Sequence, residues 1–227
     1  RIIERGPGVE YVAKDLLFGD RDLGLQLSGL LVKSIRLEYQ IGVFNGNGPN
    51  IAEQGNSKDV VARIQLRPLK QLEIGANISS KFISDPRDRQ PSRAFAGGGD
   101  LRIGVKGFRF FTEALVAQDH EAYAVNAAAT AEDTPLSFVV LAVASYRHKL
   151  KTSRVRFSLE PAFKAELFDQ DSEIADDHLW VFTPGINGYF GNYFKLMFNG
   201  AFTRSGRSAR SNYADAESIE VLACFDI

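Results

Sequence analysis

The chain has 227 residues, of which 44% are hydrophobic and 24% charged, with a net charge of −1 and one cysteine, Cys224. This length allows one large all-β domain or two small ones, and the composition argues against disorder and against a nucleic-acid-binding protein, which needs a basic face. One cysteine excludes an internal disulfide and a cysteine-based zinc site, and no apolar run approaches the ~18 residues of a transmembrane helix, which excludes a helical membrane protein.

Apolar and polar residues alternate along most of the chain, and this period of two indicates β-strands. The segments that alternate clearly are 22–31, 35–44, 62–67, 72–79, 101–106, 155–167, 194–203 and 218–227. Composition and spacing add strands at 108–117, 136–147 and 179–190, while the alanine-rich residues 122–131 are compatible with a short helix in a loop. Pro161 and Pro184 fall within strands, and each implies a bulge or a local break.

The connections between these strands alternate strictly between short and long. The short ones are 32–33, 69–70, 107, 149–153 and 191–192, and the long ones are 45–58, 84–97, 118–135, 169–177 and 205–217. An up-and-down transmembrane barrel has short periplasmic turns and long external loops, whereas a Greek-key sandwich does not show this pattern. On alternation alone, a water-soluble antiparallel sheet with one wet face stays open as an alternative.

The predicted fold class is therefore all-β: an antiparallel up-and-down transmembrane β-barrel, with residues 1–227 in one domain. Eleven strands is an odd number, whereas single-chain bacterial barrels have even numbers, and an open edge leaves backbone groups unpaired in lipid. We therefore expect further strands, either N-terminal to this chain or from a partner chain that completes the barrel. The last strand follows a long loop, so it ends on the periplasmic side, and residues 1–21 are expected in an external loop.

Five segments carry a more specific pattern. They are RDLGLQLSG (21–29), LEYQIGVFNGNG (37–48), DVVARIQLRP (59–68), GINGYFGNYFKLMFNGAFTRS (185–205) and ESIEVLACFDI (217–227). Together they resemble the phosphate-selective porin O and P family of Gram-negative outer membranes. The resemblance implies a sixteen-stranded barrel, often trimeric, of which this chain supplies the last eleven strands. It also implies that residues 1–21 end the third external loop, which in porins folds into the lumen and narrows it.

The polar faces of the predicted strands carry charges of both signs. The predicted pore-lining residues are Arg36, Glu38, Arg63, Arg67, Glu73, Arg102, Lys106, Arg109, Glu113, Arg156, Glu160, Lys164 and Lys195. A water-filled lumen keeps such groups hydrated, whereas an Arg or Lys on the lipid face costs ~2–4 kcal/mol at mid-membrane. A ladder of Arg and Lys would select anions such as phosphate. Alternatively, opposite charges pair across neighbouring strands and only hydrate the wall, which the near balance of the two signs favours.

These observations predict an outer-membrane porin of a Gram-negative bacterium, through which small ions and solutes, including anions such as phosphate, diffuse passively. No cofactor, metal or catalytic residue is expected. The expected partners are outer-membrane lipids, lipopolysaccharide and further copies of the chain in a trimer. The alternative is a structural or interaction barrel that conducts little. A barrel enzyme is the third hypothesis, and no Ser-His-Asp arrangement supports it.

The link 169–177 is rich in acidic residues. A calcium-binding EF-hand loop needs Gly where Ile174 stands and Glu where Trp180 stands, so this pattern fails. We expect a solvated external loop here, with divalent bridging to lipopolysaccharide as the alternative.

Overall fold

The computed structural model describes residues 7–16, 18, 23–46, 58–84, 91–119, 135–150, 157–191, 194–208 and 216–225. A four-residue helix, α1 (Pro7–Glu10), leads directly into one π-helical turn, Tyr11–Asp15. The strands that follow are β1 (Gly24–Val32), β2 (Leu37–Phe44), β3 (Asp59–Leu69), β4 (Leu72–Ser84), β5 (Pro91–Val105), β6 (Phe108–Gln118), β7 (Leu136–Tyr146), β8 (His148–Leu150), β9 (Phe157–Asp169), β10 (Leu179–Phe190), β11 (Phe194–Ser205) and β12 (Ala216–Phe225). No helix in the described part of the chain is long and apolar enough to cross a membrane.

All strands form one antiparallel sheet in which each long strand pairs with the next in the sequence. Only the three-residue β8 lies off this path, and it pairs with β9. The predicted all-β antiparallel fold is confirmed, and so is the up-and-down order of eleven long strands. Within the described residues the sheet is not closed, because β1 pairs only with β2 and β12 only with β11.

Three of the short connections contain left-handed backbone conformations, at Arg36, at Lys106 and Gly107, and at Gly191. In the link between β5 and β6, Lys106 has φ 44° and Gly107 has φ 95°. Positive φ at both central residues is what a type I′ hairpin requires, and the twist of this turn matches that of the flanking strands. A Cβ atom at Gly107 would also lie 2.7 Å from the backbone oxygen of Arg147. Both the positive φ and this close approach therefore favour glycine at position 107.

One predicted connection is shorter than expected. Strand β5 begins at Pro91, so the link that was predicted over residues 84–97 contains only residues 85–90. The small residues 96–99 obscured the alternation there, because alanine and glycine do not mark the buried and exposed faces of a strand. Residues 122–131, where a helix was considered, lie outside the described residues.

Both prolines within strands coincide with interruptions of the pairing, as the sequence predicted. The partners of β10 on β11 pass from Phe182 directly to Gly185, which leaves out Thr183 and Pro184. On β9, pairing with β7 ends at Ala162 and resumes with β8 at Leu159, so Pro161 falls in the gap. A proline has no backbone N–H to donate to the neighbouring strand, which accounts for both breaks.

The two faces of the sheet have the reverse of the polarity that a water-soluble protein shows. Its concave face carries buried charged side chains, which are Lys81, Asp100, Glu160, Lys164 and Glu166. Its convex face carries large apolar side chains that are exposed, among them Ile41, Ile64, Ile78, Phe95, Val116, Phe163, Trp180, Ile186, Phe198 and Ile219. Alternation along each strand produces this division, because successive side chains point to opposite faces.

Candidate functional site

A cavity of about 2330 Å³ lies against the concave face, lined by side chains from β3 to β11. Ten of the predicted pore-lining residues line it: Arg36, Arg63, Arg67, Glu73, Arg102, Arg109, Glu113, Glu160, Lys164 and Lys195. Two others do not line it. Glu38 lies beside Arg36, with 3.5 Å between Oε1 and the guanidinium, and Lys106 lies exposed in the β5–β6 turn. Arg156 is outside the described residues.

On β3, β4 and β5 the charges of the concave face pair with one another. Arg67 contacts Glu73 at 2.7 Å, and Arg102 contacts the same carboxylate at 3.2 Å. The register explains the second contact, since Glu73 and Arg102 are direct partners across β4 and β5. In this part of the wall the structure supports the interpretation that opposite charges neutralise one another across neighbouring strands.

Gly75 allows an ion pair to cross a whole strand. Arg63 on β3 reaches over β4 to Asp100 on β5, with 2.7 Å between Nη2 and Oδ2. A Cβ atom at Gly75 would lie 2.3 Å from the Arg63 guanidinium and 2.4 Å from the Asp100 carboxylate. The glycine leaves a gap in the row of side chains, and the ion pair fills it. The predicted list of lining residues left out Asp100, and it gave Gly75 no role.

A second group of charges, on β10, β11 and the residue after β7, has an excess of cations. The guanidinium of Arg147 lies 3.8 Å from the centre of the Tyr189 ring, and Lys195 Nζ lies 5.4 Å from the same centre. The Tyr189 hydroxyl donates a hydrogen bond of 3.2 Å to Glu160. Arg109 lines the same cavity, so this group contains three cations and one carboxylate among the lining residues that the structure describes. The sequence list omitted Arg147 and Tyr189, although alternation from Ser145 puts Arg147 on the concave face.

The charges are distributed unevenly between the two ends of the strands. We call the end with the turns at 33–36, 70–71, 106–107 and 191 the short-turn end, and the opposite one the long-loop end. Eight cationic residues line the cavity near the short-turn end: Lys33, Arg36, Lys70, Arg67, Arg102, Arg109, Arg147 and Lys195. Among the described residues, four carboxylates contact or face these cations: Glu38 beside Arg36, Asp100 beside Arg102, Glu73 and Glu160. The net charge of the whole chain is close to zero, but the cavity lining near the short-turn end has more cations than carboxylates.

Buried acidic side chains lie at the long-loop end. They are Asp59, Asp119, Asp171 and Asp177. Asp59 accepts a hydrogen bond from the Phe82 backbone and lies 3.5 Å from the buried ammonium of Lys81. These contacts fix the ends of β3 and β4 to each other where the long loops begin.

The expectation of a fully solvated link between β9 and β10 is wrong for two of its acidic residues. Asp171 and Asp177 are buried, and the Asp171 backbone donates a 3.0 Å hydrogen bond to the Asp177 carboxylate. Burial raises the pKa of Asp177 to about 6, and the nearby Asp169 carboxylate adds to the effect. Within the described residues, no group of three His, Cys, Asp or Glu side chains is arranged to hold a metal ion.

The segment before β1 lies against the concave face. Residues 7–16, which we call the docking segment, place Val9, Val12 and Ala13 on the cavity lining. Tyr11 packs on Phe168 with 5.4 Å between ring centres. The segment therefore occupies part of the space that the sheet encloses.

Comparisons with protein-family models, curated proteins and solved structures find no match to this chain. The resemblance to phosphate-selective porins thus rests on the five sequence segments, and membership of that family stays a prediction.

Proposed function

We propose that the chain forms most of an outer-membrane porin, through which small ions and solutes diffuse passively along the concave face. The reversed polarity of the two faces is the observation that supports this most strongly. Monomeric soluble proteins rarely expose a contiguous apolar surface of the kind that covers the convex face. A lipid bilayer removes that surface from water, and a water-filled lumen hydrates the charges on the other side.

Six aromatic residues of the convex face lie near the two ends of β9, β10 and β11, three at each end. Trp180, Phe182 and Phe202 lie toward the long-loop end, with Trp180 and Phe182 stacked at 5.8 Å. Phe157, Phe190 and Phe194 lie toward the short-turn end. Ten residues separate Trp180 from Phe190, which corresponds to roughly 25 Å along the axis of a tilted strand and matches the apolar height of an outer-membrane barrel.

The two sheet edges support a barrel that further strands complete. Strand edges carry unpaired N–H and C=O groups, which a bilayer does not tolerate. Leu25 and Leu27 on β1 are 85% and 64% exposed, so this edge strand has apolar surface for a neighbour or for lipid. We propose that strands preceding β1 close the barrel against β12, in the sixteen-stranded, trimeric arrangement that the resemblance implies. Outer-membrane lipid and lipopolysaccharide are then its surroundings.

The cationic short-turn end supports a preference for anions such as phosphate. Charges that line a narrow aqueous passage act on ions with little screening from bulk water. Near the short-turn end the described residues place eight lining cations against four carboxylates, which are Glu38, Glu73, Asp100 and Glu160. The ion pairs on β3 to β5 neutralise part of this charge, and the group around Arg147 and Lys195 keeps an excess.

A structural barrel with little conductance is the second candidate. The docking segment favours it, because Tyr11, Val12 and Leu16 are buried within the space that solutes would need. The two functions differ in whether the remaining cavity connects the two ends of the barrel.

Conductance of the full-length protein in a planar bilayer under a salt gradient separates these candidates. We expect discrete steps and a reversal potential of the sign for anion preference. Lys195→Gln should move the reversal potential toward zero, because it removes a lining cation. Arg204→Gln, which neutralises an exposed arginine that pairs with Trp180 on the convex face, is the matched control and should leave it unchanged. Folded protein that never conducts would contradict the porin proposal.

A further inference from the structure

Three uncharged polar side chains follow one another along the middle of β10 on the concave face. Thr183 and Asn187 belong to β10 itself, and Asn199 on β11 pairs with Gly185, which lies between them. Successive side chains on one face of a strand are roughly 7 Å apart, so each of the three is close to the next. We call Thr183, Asn187 and Asn199 the polar row.

The polar row is buried, but much of its hydrogen-bonding capacity is unused. Thr183, Asn187 and Asn199 are 2%, 1% and 6% exposed. No described residue forms a hydrogen bond with the Thr183 hydroxyl, with either polar atom of the Asn187 amide or with the Asn199 carbonyl oxygen. Buried polar groups in folded proteins are normally hydrogen-bonded, because an unsatisfied group has lost its bonds to water without compensation. These atoms therefore suit a molecule that brings both donors and acceptors.

Small residues leave a gap beside the polar row. Gly185 pairs with Ala162 on β9 and with Asn199 on β11, so two neighbouring positions on the concave face have little or no side chain. The Asn199 side chain lies across Gly185, because a Cβ atom at that position would overlap the Asn199 Oδ1 atom. Asn199 also lines the large cavity. A rotation of this one side chain into the cavity opens a pocket above Gly185 and connects the rest of the polar row with the cavity.

The charges beside the polar row give an anion no net attraction. Lys164 on β9 is the direct partner of Thr183, and Glu160 is the direct partner of Asn187. Both charged side chains are almost completely buried. Glu166 Oε2 lies 3.9 Å from Lys164 Nζ, so the lysine already has a counter-charge on its own strand. The immediate surroundings of the polar row thus favour an uncharged ligand, in contrast with the cationic short-turn end.

We propose that the polar row is a binding site for a small uncharged solute with several hydroxyl groups, of the size of a monosaccharide. A hydroxyl group both donates and accepts a hydrogen bond, which matches the free donor and acceptor of the Asn187 amide. Hydroxyl groups on one sugar ring can reach two neighbouring members of the polar row. This inference rests on the proposed porin function, which brings solutes to the concave face, and it names a solute class that cationic residues do not attract.

A titration of the full-length protein in detergent micelles with D-glucose, followed by saturation-transfer NMR, tests for the site without any need for conductance. We expect saturable binding to the wild type. Thr183→Val keeps the shape of the side chain and removes its hydroxyl, so it should weaken binding roughly 5-fold, the loss of about one hydrogen bond. Because that hydroxyl has no hydrogen-bond partner among the described residues, the variant should fold as stably as the wild type.

A second variant removes the amide at the centre of the proposed site. Asn187→Leu takes away a donor and an acceptor together, so it should weaken glucose binding by at least about 20-fold. Asn77→Leu is the matched control, because Asn77 lines the same cavity from β4, away from the polar row. This control should bind glucose with the wild-type affinity.

The outcomes separate the site from the porin function. The site is overturned if the wild type shows no saturable binding, if Thr183→Val and Asn187→Leu both bind as the wild type does, or if Asn77→Leu weakens binding equally. Conductance of that same protein would leave the porin function intact. If Asn187→Leu does not fold, the affinity of Thr183→Val decides. Glucose binding that depends on the polar row, in a protein that never conducts, would support the site and contradict the porin function alone.

Discussion

At the scale of single residues, glycine positions decide which charges can meet. Arg63 and Asp100 lie on strands that do not neighbour each other, and they touch only because Gly75 between them has no side chain. Asp100 is buried, so it depends on this contact more than an exposed carboxylate would. The ion pair between Arg63 and Asp100 therefore forms because position 75 carries no side chain.

Gly75→Ala should lower the free energy of unfolding by about 1–3 kcal/mol, because the new methyl group displaces the ion pair from its gap. Urea unfolding of protein refolded in lipid vesicles, followed by Trp180 fluorescence, measures this. Gly104→Ala adds the same methyl group at a lining position with open space and should change stability far less. Equal effects of the two substitutions would show that the crossing ion pair contributes nothing.

At the scale of elements, the link between β9 and β10 contains two buried acidic residues, Asp171 and Asp177, so its contribution to stability depends on pH. The pKa of Asp177 is raised to about 6 from an ordinary 3.8. Between these values the folded protein binds more protons than the unfolded chain, so stability falls as pH rises through this window. In the folded protein the carboxylate is half charged at a pH of about 6, and the unfavourable effect of its burial is complete roughly one to two pH units above that.

Asp177→Asn should flatten this pH dependence, because it removes the group that titrates. Melting temperatures of wild type and variant at pH 4 and pH 7 provide the measurement, with Glu173→Gln as a control for an exposed acid of the same link. If the melting temperature of the wild type rises between pH 4 and pH 7, and Asp177→Asn removes that rise, the predicted direction of the pH dependence is wrong.

Much of the element order could be predicted from the sequence, because alternation over ten residues defines a strand and its two faces. Phe163 was thereby assigned to a strand, whereas the strand of Trp180 was predicted from composition and spacing. Ten of the thirteen predicted pore-lining side chains line the cavity. Contacts between distant parts of the chain could not be predicted. The Arg63–Asp100 pair depends on inter-strand register, and the contact of Gly8 with Glu166 joins residues 158 positions apart, which local patterns do not encode.

At the scale of the whole molecule, the reversed polarity of the sheet connects the fold to the proposed function. In the proposed barrel, water fills the space along the concave face and lipid covers the convex face. The docking segment occupies part of the space along the concave face toward the long-loop end, and the cationic lining residues lie near the short-turn end.

The location of Trp180 tests this account most directly. It is the only tryptophan, it lies on the convex face, and it is one of the three aromatic residues near the long-loop end. In vesicles made with brominated lipids, we expect its fluorescence to be quenched most strongly by bromine near the membrane interface, with weak quenching by aqueous acrylamide. Strong acrylamide quenching without any effect of brominated lipid would place the convex face in water and contradict the membrane barrel.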